Sequence, residues 1–319
     1  MNKQNLPLKA IMLLLIFSCS LIACSNSSSE DNPETELPEE SVSLYTYLKN
    51  DSDYSILVEA INQIGYQDAL NVDGAGSYTF FAPNNEAFTE YLEANKINSV
   101  INIPTNTLTQ IILNHMLLGK EKMINAIAEG YNKTQAKEFS SQANIDLFVS
   151  KPNDAFIIND GILVTKADIE ITNGVIHEVD AVIKPNTLAT FIKVDPAFTN
   201  LYDASQAINS DIYTKLNDPT ADLTLFVPNE AAFLAMGTIT VEKLEETVKY
   251  HVLDGNVFSA TKFQDNGELK TWQGTNITTN TGSNVTITDN IGGKATMAKT
   301  DYVAWNGIAH VIDKVLEYE

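Results

Sequence analysis

Apolar residues recur along this chain first at helical and then at strand spacing, and the whole progression is run through twice. Leu44, Tyr47 and Leu48 form one helical stripe, and Ile56, Leu57, Ala60, Ile61 and Ile64 form a second. Residues 79–83, Thr-Phe-Phe-Ala-Pro, read as a buried strand stopped by proline. A helix is expected next, with Asn84 as its N-cap, Glu86 where a helix start favours negative charge, and Phe88 turned to the core. A longer helical stretch, 108–118, carries Asn114 and His115. Short extended runs follow at 147–149, 156–158 and 162–164. The progression closes on 173–183, Asn-Gly-Val-Ile-His-Glu-Val-Asp-Ala-Val-Ile, a turn signal followed by a β-branched strand. Along that strand Val175, His177 and Val179 share one face.

The second progression starts near Asn186. Asp195, Phe198 and Leu201 match Asp51, Tyr54 and Leu57, and Thr224-Leu225-Phe226-Val227-Pro228-Asn229-Glu230-Ala231-Ala232-Phe233 matches the strand–proline–helix segment. A helical stretch at 241–253 carries Tyr250-His251 where the first copy has Asn114-His115. Extended runs lie at 285–287 and 302–304. Residues 306–316, Asn-Gly-Ile-Ala-His-Val-Ile-Asp-Lys-Val-Leu, then repeat the closing strand, with Ile308, His310 and Ile312 on one face. Helices first and strands later predict an α+β unit, used twice. The junction at Pro185 leaves almost no linker, so the two copies are expected to pack as a stiff pair.

The N-terminus is a different kind of segment. Lys3 and Lys9 precede an apolar run over 10–22, too short for a membrane span of roughly 20 residues and suited to a secretory signal. It ends in Leu21-Ile22-Ala23-Cys24, which resembles the lipobox of bacterial lipoproteins and implies cleavage before Cys24 and lipidation there. Cys19 and Cys24 are the two cysteines of the sequence, so the mature chain would hold no disulfide. Residues 24–42 are acidic and rich in serine with little to bury, and read as a disordered tether. The expected organisation is therefore a signal peptide at 1–23, a tether at 24–42, and domains at 43–185 and 186–319.

The 319 residues are 44% hydrophobic, enough for two ordinary cores, and the formal net charge is −21. Such a surface repels nucleic acid and anionic lipid. The sequence contains no arginine, which removes the guanidinium fork used for bidentate recognition of phosphate and carboxylate.

The chemistry-bearing candidates are few. His115, His177, His251 and His310 are the only histidines, two in each copy. His177 with Asp180, and His310 with Asp313, have the types of a metal pair, but residues three apart on a strand point to opposite faces. Both histidines, and His115 among its apolar neighbours, are expected as hydrogen-bonded core imidazoles, with Asp180 and Asp313 serving the same strands. Tyr250 and His251 form the one pair singled out as a candidate partner contact. There is no Gly-x-Ser-x-Gly elbow, and Gly74-Ala75-Gly76 and Gly292-Gly293-Lys294 each lack a glycine of a nucleotide-binding loop. No cofactor, metal or catalytic residue is expected.

The Thr-Phe-Phe-Ala-Pro-Asn-Asn-Glu-Ala-Phe segment, the Tyr-His pair and the Asn-Gly-Val-Ile-His-Glu-Val-Asp segment resemble, in that order, the motifs of the fasciclin-type domain family. The resemblance covers 43–319, with Asn114 standing where the family has tyrosine. It implies two tandem domains, each a wedge-shaped β-sandwich of about seven strands with helices along one side. It further implies adhesion or extracellular protein contact without catalysis. The expected protein is a lipid-anchored module of the bacterial cell envelope, at the outer membrane, meeting a protein or glycan ligand at the cell surface and touching the membrane through the lipid on Cys24. An alternative is a glycan-binding accessory of an outer-membrane uptake complex, with Trp272 or Trp305 stacking on sugar faces.

Overall fold

A computed structural model describes residues 42–72, 77–119, 122–207, 211–237 and 239–319. The signal, the lipobox with Cys24, the tether up to residue 41 and Gly74-Ala75-Gly76 lie outside the described residues. The first copy runs α1 (Leu44–Asn50), α2 (Ser55–Gln63), β1 (Tyr78–Pro83), α3 (Asn85–Ala94), α4 (Thr105–Asn114), β2 (Gly130–Lys137), β3 (Asn144–Ser150), β4 (Ile157–Ile158), β5 (Ile162–Ile171) and β6 (Gly174–Val179). The second runs α5 (Leu188–Val194), α6 (Thr199–Ala207), α7 (Asp211–Asn217), β7 (Leu223–Pro228), α8 (Glu230–Ala235), α9 (Val241–Tyr250), β8 (Val252–Asp254), β9 (Gly267–Lys270), β10 (Asn276–Asn280), β11 (Thr286–Thr288), β12 (Lys294–Ala304) and β13 (Gly307–Ile312).

Local chemistry sets the helix starts. Ser43 and Thr187 cap α1 and α5 through their hydroxyls, and Asn84 and Asn229 accept from the amides of Ala87 and Ala232, each at 2.9 Å, to cap α3 and α8. Two of the expected helices end early. The stretch 108–118 is helical only to Asn114 and 241–253 only to Tyr250, because the chain then turns to run against the sheet. The Phe81 amide donates to the His115 carbonyl at 2.8 Å, and the Leu117 amide to the Thr79 carbonyl at 3.1 Å; in the second copy Val252–Asp254 pairs fully with β7. Apolar periodicity runs straight through this change, so it hides the helix end.

In each copy the strands form one hydrogen-bonded ladder, six strands in the order β1-β6-β5-β4-β3-β2 and seven in the order β8-β7-β13-β12-β11-β10-β9. The strands β1–β6 and β7–β13 pair in parallel, and the remaining pairs are antiparallel, which makes the fold α+β with mixed sheets. The first ladder folds round until single bridges from Phe80 to Met116 and from Leu117 to Thr134 join β1 to β2. Two cores result. Phe80 and Ile176 face the helices with Leu44, Leu57, Phe88 and Ile112, whereas Phe81 and Val179 face the opposite strands with Leu147, Val149 and Ile158.

The two copies also share a core. Tyr131 of β2 reaches into the second copy, its ring centroid 5.2 Å from Phe191 and 4.4 Å from Tyr302, and its hydroxyl donates to Asp195 at 3.0 Å. Ala136 and Ile145 pack against Val303 and Ile308. Asp146, buried at this seam, accepts from Lys133 at 2.6 Å and from the Val303 amide at 2.8 Å. Burial pushes its carboxyl up, and the ammonium of Lys133 opposes that shift.

Candidate functional site

The closing strands β6 and β13 each have a hydrogen-bonded neighbour on both sides, and the glycine that opens each is held against the parallel neighbour. A Cβ on Gly174 would sit 2.2 Å from the Tyr78 carbonyl oxygen, and one on Gly307 would sit 2.0 Å from that of Leu223. The preceding asparagines are buried ties. Asn173 accepts from the Leu44 amide at 2.8 Å and donates to the Leu70 carbonyl at 3.0 Å. Asn306 accepts from the Leu188 amide at 2.9 Å and donates to the Leu216 carbonyl at 2.9 Å. The Asn-Gly pair thus fastens the first helix of each copy to its last strand.

His177 and His310 are fully buried, and each is bonded at both ring nitrogens. Nδ1 of His177 accepts from the Asp168 amide at 3.1 Å, and Nε2 donates to the Lys122 carbonyl at 3.0 Å. Nδ1 of His310 accepts from the Asp301 amide at 3.3 Å, and Nε2 donates to the Phe258 carbonyl at 2.8 Å. Asp168 and Asp301 are bulge residues with φ of 62° and 60°, and each carboxylate accepts from the amide two residues beyond the gripped carbonyl, Ile124 and Ala260, at 2.7 Å. Thr79 and Thr224 complete the grip by accepting from the Lys122 and Phe258 amides at 2.8 and 2.9 Å. By residue type this is a hydroxyl, an imidazole and a carboxylate. By bonding it is a clamp, since the Nε2 that a general base would offer is already a donor to a carbonyl. Burial pulls both imidazoles down, so they stay neutral.

The other two histidines use the opposite tautomer. Nδ1 of His115 donates to the Ile111 carbonyl at 2.8 Å while Nε2 accepts from the Ile183 amide at 2.9 Å. His251 does the same with Thr247 at 2.7 Å and Leu316 at 2.9 Å. Each therefore ties a helix end to the chain leaving the closing strand, and burial lowers each to about 4. Tyr250 is also fully buried, its hydroxyl donating to the Asn276 carbonyl and accepting from the Asn290 amide, both at 3.0 Å. Tyr250-His251, the candidate partner contact, is corrected by this burial, because the pair offers no surface. Asp180 and Asp313 accept from the Leu163 and Thr296 amides at 2.8 and 2.6 Å, adding a side-chain rung to the strand pairs. Among the described residues no three His, Cys, Asp or Glu side chains converge to hold a metal ion.

Open space occurs between the copies. A cleft of about 680 Å³ is lined by Tyr91, Asn95 and Asp160 from the first copy and by Lys193, Tyr213, Asn217 and Trp305 from the second. Asp160 and Lys193 form an ion pair across it. Trp272 lies elsewhere, half-buried against α9 with Lys249 5.8 Å from its ring centroid.

The profile of the fasciclin domain matches residues 52–185 and again 196–318. The chain belongs to the fasciclin domain family. It is 28% identical over 254 residues to the pig transforming growth factor-beta-induced protein ig-h3, covering 77% of this chain and 35% of that one. To human periostin it is 28% identical over 280 residues, covering 82% and 31%. The chain thus spans about a third of the length of these two relatives. A Synechocystis protein, sll1483, is 33% identical over 134 residues, 41% of this chain and 67% of its own. Among solved structures, the FAS1 domain pair of the insect cell adhesion molecule fasciclin I aligns with a TM-score of 0.47 at 18% identity, covering 86% of this chain and 96% of that one.

Each fasciclin domain of the chain carries one complete clamp. Sequence reasoning found the histidine and missed its aspartate. A signal was present, since Asp168 and Asp301 each stand nine residues before their histidines.

Proposed function

We propose that this fasciclin-domain protein is a lipid-anchored adhesion or protein-interaction module of the cell envelope, acting without catalysis. The observation that carries the reading is the shared core around Tyr131, Phe191 and Tyr302, which makes two domains one stiff body with a fixed outer surface. All four histidines are bonded at both ring nitrogens within the fold, which also favours binding over chemistry. The anchor rests on Leu21-Ile22-Ala23-Cys24 and the tether behind it. Among the described residues no helix is long and apolar enough to cross a membrane. Expressed in an exporting bacterium, the full chain should fractionate with membranes and Cys24→Ala should move it to the soluble fraction; retention after that change rules out the anchor. In a pull-down from surface material, adhesion predicts saturable capture of a surface protein.

A second reading, a glycan-binding accessory, is favoured by the presence of Trp305 in the cleft between domains. A polysaccharide array separates it from protein adhesion.

A further inference from the structure

The repeat itself shows which side chains the fold requires. Around the closing turn, Asn306 and Gly307 repeat Asn173 and Gly174, and both copies need them for the same bonds. The residue just before does not repeat: Trp305 stands where the first copy has Thr172. A fasciclin domain therefore closes this turn without an indole. Trp305 packs on the cluster of Ala136, Ile145, Val303 and Ile308, and it also lines the interdomain cleft. Among the described residues its indole N–H has no partner. The large aromatic is spent on a space that exists only because two domains meet.

The rest of that lining mixes apolar side chains, Ile111, Ile162 and Val182 among them, with polar groups, and the exposed Lys184 adds one positive charge at its rim. Asp160 uses one carboxylate oxygen on Lys193, so the pair cancels in charge and leaves the second oxygen free among the described residues. Asn217 accepts from Thr187 through its carbonyl at 2.9 Å and keeps its amide donors. Asn95 donates to the Tyr91 carbonyl at 2.7 Å and keeps its carbonyl. Tyr91 and Tyr213 add two further aromatic residues. The volume, about 680 Å³, lies in the range of roughly 300–1,000 Å³ usual for ligand sites, which favour domain interfaces. Aromatic faces suit the C–H faces of sugar rings, and spare amide and carboxylate groups suit their hydroxyls. A chain of net charge −21 without arginine is poorly built to attract or grip an acidic ligand.

We propose that the cleft between the two domains binds a neutral oligosaccharide, with Trp305 as the stacking platform and Asn95, Asp160 and Asn217 reading the hydroxyls. This deepens the glycan reading by giving it a site and a sugar class. The test is calorimetric titration of the full chain, held in a sugar-free detergent, with cellotetraose, laminaritetraose, mannotetraose and maltotetraose, and with tetragalacturonate as the acidic counterpart. At least one neutral tetrasaccharide should bind. Trp305→Thr, the residue the first copy has at that place, should weaken it tenfold or more. The surface change Asn95→Ala, which also removes the bond to the Tyr91 carbonyl, should weaken it about threefold with the melting temperature lowered by only about a few degrees, and Trp272→Ala should leave it as it was. Failure of all four neutral sugars to bind overturns the proposal, as does tighter binding of tetragalacturonate. Binding that survives both Trp305→Thr and Asn95→Ala overturns the cleft while leaving the glycan reading standing at another surface.

Discussion

At the scale of the residue, the four histidines act as two-ended ties whose tautomer is set by what each nitrogen meets. For His115 and His251, protonation would put a proton on an Nε2 that already accepts from a backbone amide. Burial adds to this, and each titrates at about 4 in the fold against about 6.5 in the open chain. The unfolded chain takes up protons below 6.5 that the native chain refuses, so this stability is complete above that pH and is lost as pH falls toward 4. Between pH 6.5 and 5 each histidine should cost about 2 kcal/mol. Imidazole NMR should show no titration of either ring down to pH 5, and the urea midpoint should drop between pH 7.5 and 5.0. An ordinary histidine titration near 6.5 would contradict the tie. The buried face of these strands was legible in the alternation around His177. The partners were not, because Asp168 joins His177 across a bulge that alternation does not register.

At the scale of the element, the opening of each closing strand has no tolerance. Gly174→Ala combines φ of 156° with a Cβ 2.2 Å from a backbone oxygen that the parallel pairing holds in place. We expect a loss of about 3 kcal/mol or more. Gly292→Ala is the control: its φ is 87° but nothing lies within 4 Å of the added Cβ, so only the backbone cost of about 1–2 kcal/mol remains. Thermal melts of the two variants should differ clearly, and equal losses would mean that the close approach does not matter. The Asn-Gly signal correctly placed a special backbone here. What it could not convey is that the asparagine works through its side chain, tying helix to strand. β2 escaped sequence reading for a related reason: its inward residues are Asn132, Thr134 and Ala136, which pair or pack without any large apolar signature.

At the scale of the whole molecule, Tyr131 decides whether there are two domains or one body. The short junction at Pro185 pointed to a stiff pair, yet the surfaces that meet were hidden, since Tyr131 sits in a polar run, Gly-Tyr-Asn-Lys-Thr-Gln. Truncating a fully buried aromatic costs about 3–5 kcal/mol; Tyr131 is partly buried, so the loss is smaller, and it falls on the coupling between domains. Calorimetry of the unaltered chain should give one cooperative transition, and Tyr131→Ala should split it into two. A split transition already present in the unaltered chain would show that the seam is weak.

The parallel pairs β1–β6 and β7–β13 have a consequence in time. Each sheet inserts its last-made strand between two earlier ones, one of them the first, so neither sheet can be completed until almost all of its domain has been synthesised. Contacts this distant in sequence slow folding. A ribosome or a translocation channel releasing the chain from its N-terminus would deliver β1 with its Phe80–Phe81 edge long before β6 arrives to cover it. Until then the exposed edge is open to the wrong strand, including the equivalent one from a neighbouring copy of the chain.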